Sequence, residues 1–190
     1  MMRPSTIRIF LLCVGLVIVS VGPSWGQQSG SSPYTRPALE WDDPGAELNI
    51  VEVLEQSDEH ELMAEAVRTA NLTTLLTGYS EGAFTLFAPT DEALNDLPGE
   101  FKELLSAESG AEKEELLSIV LYHVTSYRLS TEQITSLRVG DAAQGDSLRF
   151  DSSGGEIEIN GNASIIDGNI DASNGVIHSI DSVLLPPRFR

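Results

Sequence analysis

The chain contains few cysteines and few aromatic residues. Of its 190 residues one is a cysteine, Cys13, and only 6% are aromatic. A single cysteine cannot form an intramolecular disulfide, and thiolate zinc sites use several cysteines. Proline is absent from residue 99 to residue 185, so backbone hydrogen bonding can continue there without interruption. These absences exclude a small disulfide-rich domain and a cysteine-based metal centre.

Basic residues are also scarce. Eleven Lys and Arg residues stand against 29 Asp and Glu residues, which gives a formal net charge of −18. An acidic chain repels phosphate backbones and anionic lipid surfaces. The sequence therefore predicts no nucleic-acid partner, and it is compatible with a solvated acidic surface or with basic or cation-bridged partners.

The first 26 residues are organised like a secretory signal peptide. Two arginines precede an apolar run over 9–21, and a Gly-Pro pair ends the run. Small residues at 24 and 26 occupy the −3 and −1 positions of a cleavage site before Gln27. The run is shorter than the roughly 20 residues of a membrane-spanning helix, so an uncleaved anchor is the weaker alternative. Cleavage would remove Cys13 and two arginines but no acid, and the net charge would become −18 − 2 = −20.

The remainder divides into a leader and one domain. Residues 27–45 are rich in Ser, Gly, Gln and Pro, which predicts a flexible leader. From residue 46 to residue 187 the chain has the size of one domain. Apolar spacing predicts helices near residues 50–54, 62–76 and 101–105, with Ser57-Asp58 capping the second. A capping box at Ser109 to Glu112 then opens a long, largely buried helix.

After Tyr127 the apolar period changes from helical towards two. Strands are predicted at 137–139, 147–151, 156–160, 163–167 and 175–185, with turns at Gly154-Gly155 and Asn160-Gly161. Helices followed by antiparallel strands indicate an α+β fold with a single domain.

The most informative stretch runs from Phe84 to Leu94. Strand-favouring residues lead into Pro89, which cannot donate to a sheet and therefore ends the strand. Thr90 is a candidate N-cap, and Asp91 places negative charge on the first helical turn, where the helix dipole favours it. We predict a strand, a tight corner and a short helix.

Two histidines lie on predicted apolar faces. His123 shares a helical stripe with Ile119 and Val120, and His178 alternates with Val176 and Ile180 along a strand. Both are interpreted first as buried, locally hydrogen-bonded residues. The functional alternative for His123 is that it organises an exposed loop used for adhesion.

Signals for catalysis and metal binding are weak. Residues 167–171 begin like a calcium loop, but Ala172 replaces its glycine and His178 its bidentate glutamate. No G-x-S-x-G or H-E-x-x-H motif occurs. The sequence predicts no metal, no cofactor and no enzymatic activity; a hydrolase built from a chance Ser–His pair is the alternative.

Three stretches in this order resemble the fasciclin domain family: 84–94, Leu121-Tyr122-His123-Val124, and 174–185 followed by Pro186. The resemblance covers about residues 46–187 and implies an antiparallel β-sandwich or wedge packed against several helices. It assigns a mainly structural signature role to the following residues: Thr85, Phe87, Pro89, Thr90, Asp91, Asn174, Gly175, His178 and Asp181.

The resemblance also implies a function. It suggests a secreted or periplasmic, monomeric and non-catalytic module for adhesion to a cell-surface or matrix protein or glycan. In animal relatives the Tyr-His region is associated with integrin binding, which makes Leu121, Tyr122, His123 and Val124 the interaction candidates. A single-domain chain is more similar to bacterial members, which meet no integrins at home. The alternative is an extracellular carrier of a small apolar ligand or pigment, held between helices and sheet.

Overall fold

The computed structural model describes residues 46–78, 84–106 and 110–189, so the predicted signal peptide and leader lie outside the described residues. The helices in this part of the chain are α1 (Ile50–Gln56), α2 (Glu61–Thr69), α3 (Thr73–Gly78), α4 (Asp91–Asn95), α5 (Gly99–Leu105), α6 (Ala111–Tyr122) and α7 (Thr131–Ser136). The strands are β1 (Phe84–Pro89), β2 (Val124–Thr125), β3 (Val139–Asp141), β4 (Ser147–Asp151), β5 (Glu158–Ile159), β6 (Ala163–Ala172) and β7 (Gly175–Ile180).

The strands form one sheet in the order β2-β1-β7-β6-β5-β4-β3. The predicted α+β class is confirmed. Within the sheet, β1 and β7 are parallel neighbours, from Phe84 opposite Gly175 to Pro89 opposite Ile180, and the other pairs are antiparallel. Parallel pairing needs a long connection, and here most of the domain lies between the two strands. The first and last stretches of the family signature are therefore side by side.

The sheet curls until its two ends meet. Strand β6 pairs with β5 at its start and with β7 further on, and two register shifts between Ile165 and Ile170 bend it. Beyond β3, the N–H of Ala143 donates to the carbonyl of Val124 on β2 at 2.7 Å. The N–H of Asp141 donates to the Tyr127 hydroxyl at 2.9 Å. Both outer edges are thus partly covered, which limits edge-to-edge association.

Side chains of β1 alternate between two apolar clusters. Leu86 and Ala88 face a cluster shared with the helices, whereas Phe87 faces the interior of the curled sheet. There the Phe87 ring lies 5.9 Å from the Phe150 ring and 5.7 Å from the His178 ring, measured between centroids. The strand is buried on both faces, which explains its nearly continuous apolar sequence.

Two helix starts differ from prediction. Helix α2 begins at Glu61 with His60 as N-cap, instead of being capped by Ser57-Asp58. Its free N–H groups are satisfied from another segment, because Asp91 accepts from Leu62 at 2.9 Å and from Glu61 at 3.3 Å. Helix α6 has Gly110 as its N-cap, and Ser109 of the predicted capping box lies outside the described residues.

The strand-rich half also differs in detail. Strand β3 begins at residue 139, where a strand at 137–139 was predicted, and β7 ends at Ile180 instead of residue 185. Strand β2 and helix α7 were not predicted, although Ser130 and Gln133 form a capping box at the start of α7. Three of the four residues in the predicted turns, Gly155, Asn160 and Gly161, have positive φ, as tight turns require.

Within residues 46–78, 84–106 and 110–189, no helix combines the length and the apolar character that crossing a membrane requires.

Candidate functional site

The Tyr-His corner, residues Leu121 to Val124, lies where α6 ends and β2 begins. Tyr122 and His123 are each 1% exposed and Val124 is fully buried, whereas Leu121 is half-buried. The Tyr122 hydroxyl donates to the carbonyl of Ser147 at 3.2 Å and accepts from the Asn160 side chain at 3.0 Å. The four predicted interaction candidates are therefore adjacent, and Leu121 alone among them keeps a substantial part of its side chain at the surface.

Both nitrogens of the His123 ring bond to the backbone. Nδ1 donates to the carbonyl of Ile119 at 2.8 Å, and Nε2 accepts from the N–H of Leu184 at 3.0 Å. Because a carbonyl only accepts, the proton of the neutral ring is on Nδ1. Burial lowers the pKa of His123 to about 4, although the Ile119 carbonyl favours the charged form. His123 is thus a neutral core residue that joins α6 to the C-terminal segment.

Residues of the first signature stretch hold the corner and the segment that follows. The N–H of Phe87 donates to the carbonyl of His123 at 2.9 Å. The Thr85 hydroxyl donates to the carbonyl of Tyr127 at 2.7 Å and accepts from the N–H of Leu129 at 2.8 Å. Thr125 donates a second hydroxyl to the Tyr127 carbonyl at 2.9 Å. Hydrogen bonds with β1 and β2 therefore hold the loop over residues 126–130.

His178 of the last signature stretch holds the same loop. Its Nε2 donates to the carbonyl of Leu129 at 2.8 Å, and its Nδ1 accepts from the N–H of Asn169 at 3.2 Å. Burial lowers the pKa of His178, so this ring is also neutral. Its proton is on Nε2, which is the opposite tautomer to that of His123. A Cβ on Gly168 would lie 3.3 Å from Nδ1 of His178, so the bulge of β6 approaches the ring closely.

The remaining signature residues connect separate segments. Asn174 accepts from the N–H of Ile50 at 2.9 Å and donates to the carbonyl of Leu76, which joins α1 and α3 to the turn before β7. A Cβ on Gly175 would clash with the carbonyl oxygen of Phe84, so β1 could not approach β7 with any side chain there.

Three further residues act at element ends. Thr90 caps α4 through a hydrogen bond from the N–H of Ala93 at 3.2 Å, as predicted. Asp91 caps α2 from outside, and Asp181 accepts from the N–H of Ser164 at 2.8 Å where β6 meets β7. The structure thus gives these signature residues contacts within the domain.

An open groove of about 290 Å³ lies between α1 and the sheet, and we call it the α1 groove. It is lined by Leu48, Val53, Leu54, Gln56, Ser57, His60, Ile170 and Ile177. The carrier alternative predicted a groove between helices and sheet, but the sequence did not predict these lining residues, because no short motif joins residues from the two ends of the domain. The one signal was the apolar character of Ile170 and Ile177 on strands that face the helices.

His60 is 3% exposed and lines the α1 groove. Its Nδ1 is 2.8 Å from the Ser57 hydroxyl and its Nε2 is 2.6 Å from the Ser179 hydroxyl. Burial lowers its pKa, opposed most by the charges of Glu59 and Asp91. The ring is therefore neutral at pH 7 and joins the start of α2 to β7.

Ser179 and His60 form the hydrogen bond expected between a catalytic nucleophile and its base, but the surroundings of Ser179 do not suit catalysis. Ser179 is 1% exposed in β7, and strands β1 and β6 pair with it on both sides. Acyl transfer needs free donors for the developing oxyanion next to the nucleophile. A residue whose backbone lies inside a sheet does not offer them, so the geometry favours a structural role for this pair.

The calcium-like stretch at 167–171 has other partners. Asn169 accepts from the N–H of Thr131 at 2.9 Å, and Asp171 forms an ion pair with Arg128. Among the described residues, no three His, Cys, Asp or Glu side chains converge as metal ligands would. These contacts join β6 to the loop over 126–130 and to α7.

The domain is an α+β module in which a layer of helices packs on a curled seven-stranded sheet. Its motif residues form hydrogen bonds within the domain. The chain belongs to the fasciclin domain family, whose model matches residues 58–186. The resemblance predicted from the sequence is thereby confirmed.

Relatives agree with this assignment. Protein sll1483 of Synechocystis sp. is 39% identical over 141 residues, which is 74% of each chain. Transforming growth factor-beta-induced protein ig-h3 of Sus scrofa is 34% identical over 139 residues, covering 73% of this chain but 19% of the pig protein. The FAS1 domain pair of the insect cell adhesion molecule Fasciclin I has a TM-score of 0.64 at 15% identity, covering 75% of this chain and 52% of that one. This last likeness shows the shared fold.

Proposed function

We propose that this chain is an exported, non-catalytic fasciclin module that mediates adhesion to a cell surface or extracellular matrix. The observation that carries the proposal is the loop over 126–130, which both signature strands hold in one conformation through Thr85 and His178. Binding residues are often placed on loops that a rigid scaffold positions. A solved structure with the same fold comes from an insect cell adhesion molecule, which supports the same kind of function.

In this proposal the Tyr-His corner mainly supports the loop over 126–130. Tyr122, His123 and Val124 are buried, so we propose that they position the loop, while Leu121 and the exposed Ser126 reach a partner. The partner is a cell-surface or matrix protein or a glycan. Pre-organisation of the loop reduces the entropic cost of binding.

Export and domain limits belong to the same proposal. The basic start and apolar run of residues 1–26 support cleavage before Gln27, followed by a leader over 27–45 and the fasciclin domain over 46–187. The mature chain would act as an acidic monomer outside the cytoplasm. Mass spectrometry of the protein exported by its own host tests this directly, since it reports both the first residue and the oligomeric state.

The adhesion proposal is tested with two matched serine variants. We expect Ser126→Arg to lower binding of the labelled exported protein to cells of its host at least about tenfold, because disrupting a hot spot at an interface costs about 2 kcal/mol. Ser153→Arg adds the same side chain at an exposed turn residue far along the sheet and should leave binding unchanged. Both variants should melt like the original chain. Equal binding by the two variants would overturn the loop as the contact surface.

The carrier of a small apolar ligand is the second candidate, and the α1 groove is the observation that favours it. The groove lies between helices and sheet, where such a ligand was expected, but its 290 Å³ is at the lower limit of the roughly 300–1,000 Å³ of small-molecule sites. Native mass spectrometry separates the candidates: a bare chain supports adhesion, and a stoichiometric extra mass supports the carrier.

A further inference from the structure

The α1 groove is apolar along both walls. Val53 and Leu54 of α1 form one wall, and Ile170 of β6 and Ile177 of β7 form the other. Concave, mostly apolar clefts are the usual positions of binding sites. A groove of this size accepts one or two side chains more readily than a whole small molecule.

The buried polar groups that line the groove already have partners. Both ring nitrogens of His60 are within 2.8 Å of a hydroxyl, from Ser57 and from Ser179. Among the described residues, every buried side-chain nitrogen or oxygen has a hydrogen-bond partner. No buried polar group therefore requires a polar atom from an occupant, and the part of the occupant that enters the groove should be apolar.

The segment that carries six of the eight groove-lining residues is strongly acidic. From residue 46 to residue 67 the chain carries seven acids, at 47, 52, 55, 58, 59, 61 and 65, and no Lys or Arg, and Arg68 directly after it pairs with Glu55 at 3.5 Å. From residue 123 to residue 190 it carries nine acids and five bases, a net charge of −9 + 5 = −4 over three times the length. The carboxylates of Glu59, Asp91 and Asp167 are close enough to act on the His60 ring in the groove lining. This field attracts cations and repels anionic ligands such as fatty acids.

We infer that the α1 groove docks a basic segment of a protein partner, with an apolar anchor side chain between Val53 and Ile177 and flanking Lys or Arg residues near the acidic side chains of residues 47–65. The apolar walls give the anchor its affinity, and the charges select the partner and accelerate the encounter. The inference rests on the proposed interaction function and adds a second surface to it, separate from the loop over 126–130.

The test uses the mature full chain and a fluorescent, capped peptide of two leucines flanked on each side by two lysines. Fluorescence anisotropy should show saturable binding below about 1 mM that weakens as salt rises. A peptide with serines in place of the leucines keeps the charge and should bind at least about tenfold more weakly if the groove takes an apolar anchor. Absence of saturable binding, or equal binding of the serine peptide, overturns the inference.

A matched pair of valine variants locates the site. Val53→Arg places a cation in the groove and should weaken peptide binding at least about tenfold. Val139→Arg makes the same change at a 44% exposed valine on the edge strand β3 and should bind normally. Equal weakening in both variants would show a general charge effect and would overturn the groove as the site, and so would a small apolar molecule retained in the native mass spectrum.

The two proposals can fail separately. Ser126→Arg should weaken adhesion at least about tenfold and leave peptide binding intact, and this result would support both surfaces. Loss of peptide binding in Ser126→Arg, with its melting temperature unchanged, would overturn the claim that the α1 groove is a separate surface.

Discussion

The Tyr-His corner and the α1 groove each contain a buried histidine, but the two rings have different neighbours. His123 bonds to two backbone groups, in α6 and in the segment after β7, and is 1% exposed. His60 bonds to two hydroxyls and lines an open apolar groove. The Tyr-His motif thus contains a buried residue that stabilises the fold, whereas seven of the eight residues that line the accessible groove lie outside the three signature stretches.

The difference has an energetic consequence. Backbone groups fixed by a helix and by a packed segment cannot turn to find new partners, so removing His123 leaves them unsatisfied in the core. Serine hydroxyls can rotate towards other acceptors even where the serine is buried, as Ser179 is, and water can reach the half-buried Ser57. We therefore expect the corner to dominate stability and the groove to contribute mainly to binding.

Removing each histidine ring in turn should give the largest difference in stability between the corner and the groove. His123→Ala should lower the free energy of unfolding by about 4 kcal/mol, because two backbone groups are left without a partner and a cavity remains. His60→Ala should cost about 1 kcal/mol. Urea unfolding at pH 7 measures both values. Equal decreases in the free energy of unfolding would contradict the expected difference between the two rings.

Acid should act through the same rings. His123 has a folded pKa of about 4 against about 6.5 unfolded, so the unfolded chain binds the proton more readily between these values. Stability is therefore complete above pH 6.5 and decreases by about 3 kcal/mol as the pH falls to 4. The lowered pKa values of His60 and His178 add in the same direction.

The pH prediction is checked by urea unfolding at several pH values between 7 and 4. His123→Gln removes the titrating ring and should reduce the decrease, while keeping a donor and an acceptor. A chain whose stability is constant from pH 6.5 to 4.5 would contradict a buried neutral His123.

A signature residue beside the groove should have an intermediate effect. Asp91→Ala removes the acceptor for two N–H groups at the start of α2 and should cost about 1 kcal/mol. Asp96→Ala removes the same charge at an exposed position and serves as the control. Thermal unfolding of the two variants measures the difference, and identical melting temperatures would contradict the cap supplied by Asp91.

The smallest effect is expected at Val53, the half-buried residue of the groove wall. Val53→Ser should change the free energy of unfolding by no more than about 1 kcal/mol while weakening binding of the leucine peptide. Leu54→Ala, at a groove residue that is 1% exposed and belongs to the core, should cost about 3 kcal/mol and provides the contrast. A large decrease in stability in Val53→Ser would mean that Val53 belongs to the core as Leu54 does.

Local patterns predicted the parts of the fold that local chemistry determines. The strand ending at Pro89 and the cap at Thr90 follow from proline geometry and capping, and the long helix after residue 110 follows from apolar spacing. The start of α2 could not be predicted in this way, because its cap comes from Asp91, distant in sequence. Strand β2 has two residues and no period of its own.

The sequence predicted the residues of the candidate site better than it predicted their arrangement in space. Apolar spacing indicated that His123 and His178 were core residues, and their burial agrees with that interpretation. The convergence of Thr85 and His178 on one loop depends on the parallel pairing of β1 with β7, which alternation within single strands does not reveal. The α1 groove likewise joins residues 48–60 to Ile170 and Ile177, which are distant in sequence.

The most direct test of the contrast between corner and groove is an NMR titration of the three imidazole rings, with nitrogen shifts read at pH 7. We predict a neutral His123 protonated on Nδ1, a neutral His178 protonated on Nε2, and no titration of His123 until the pH falls to about 4. A His123 ring that titrates near pH 6.5, or that carries its proton on Nε2, would contradict its role as a buried connector. The Tyr-His corner would then again be a candidate for direct contact with a partner.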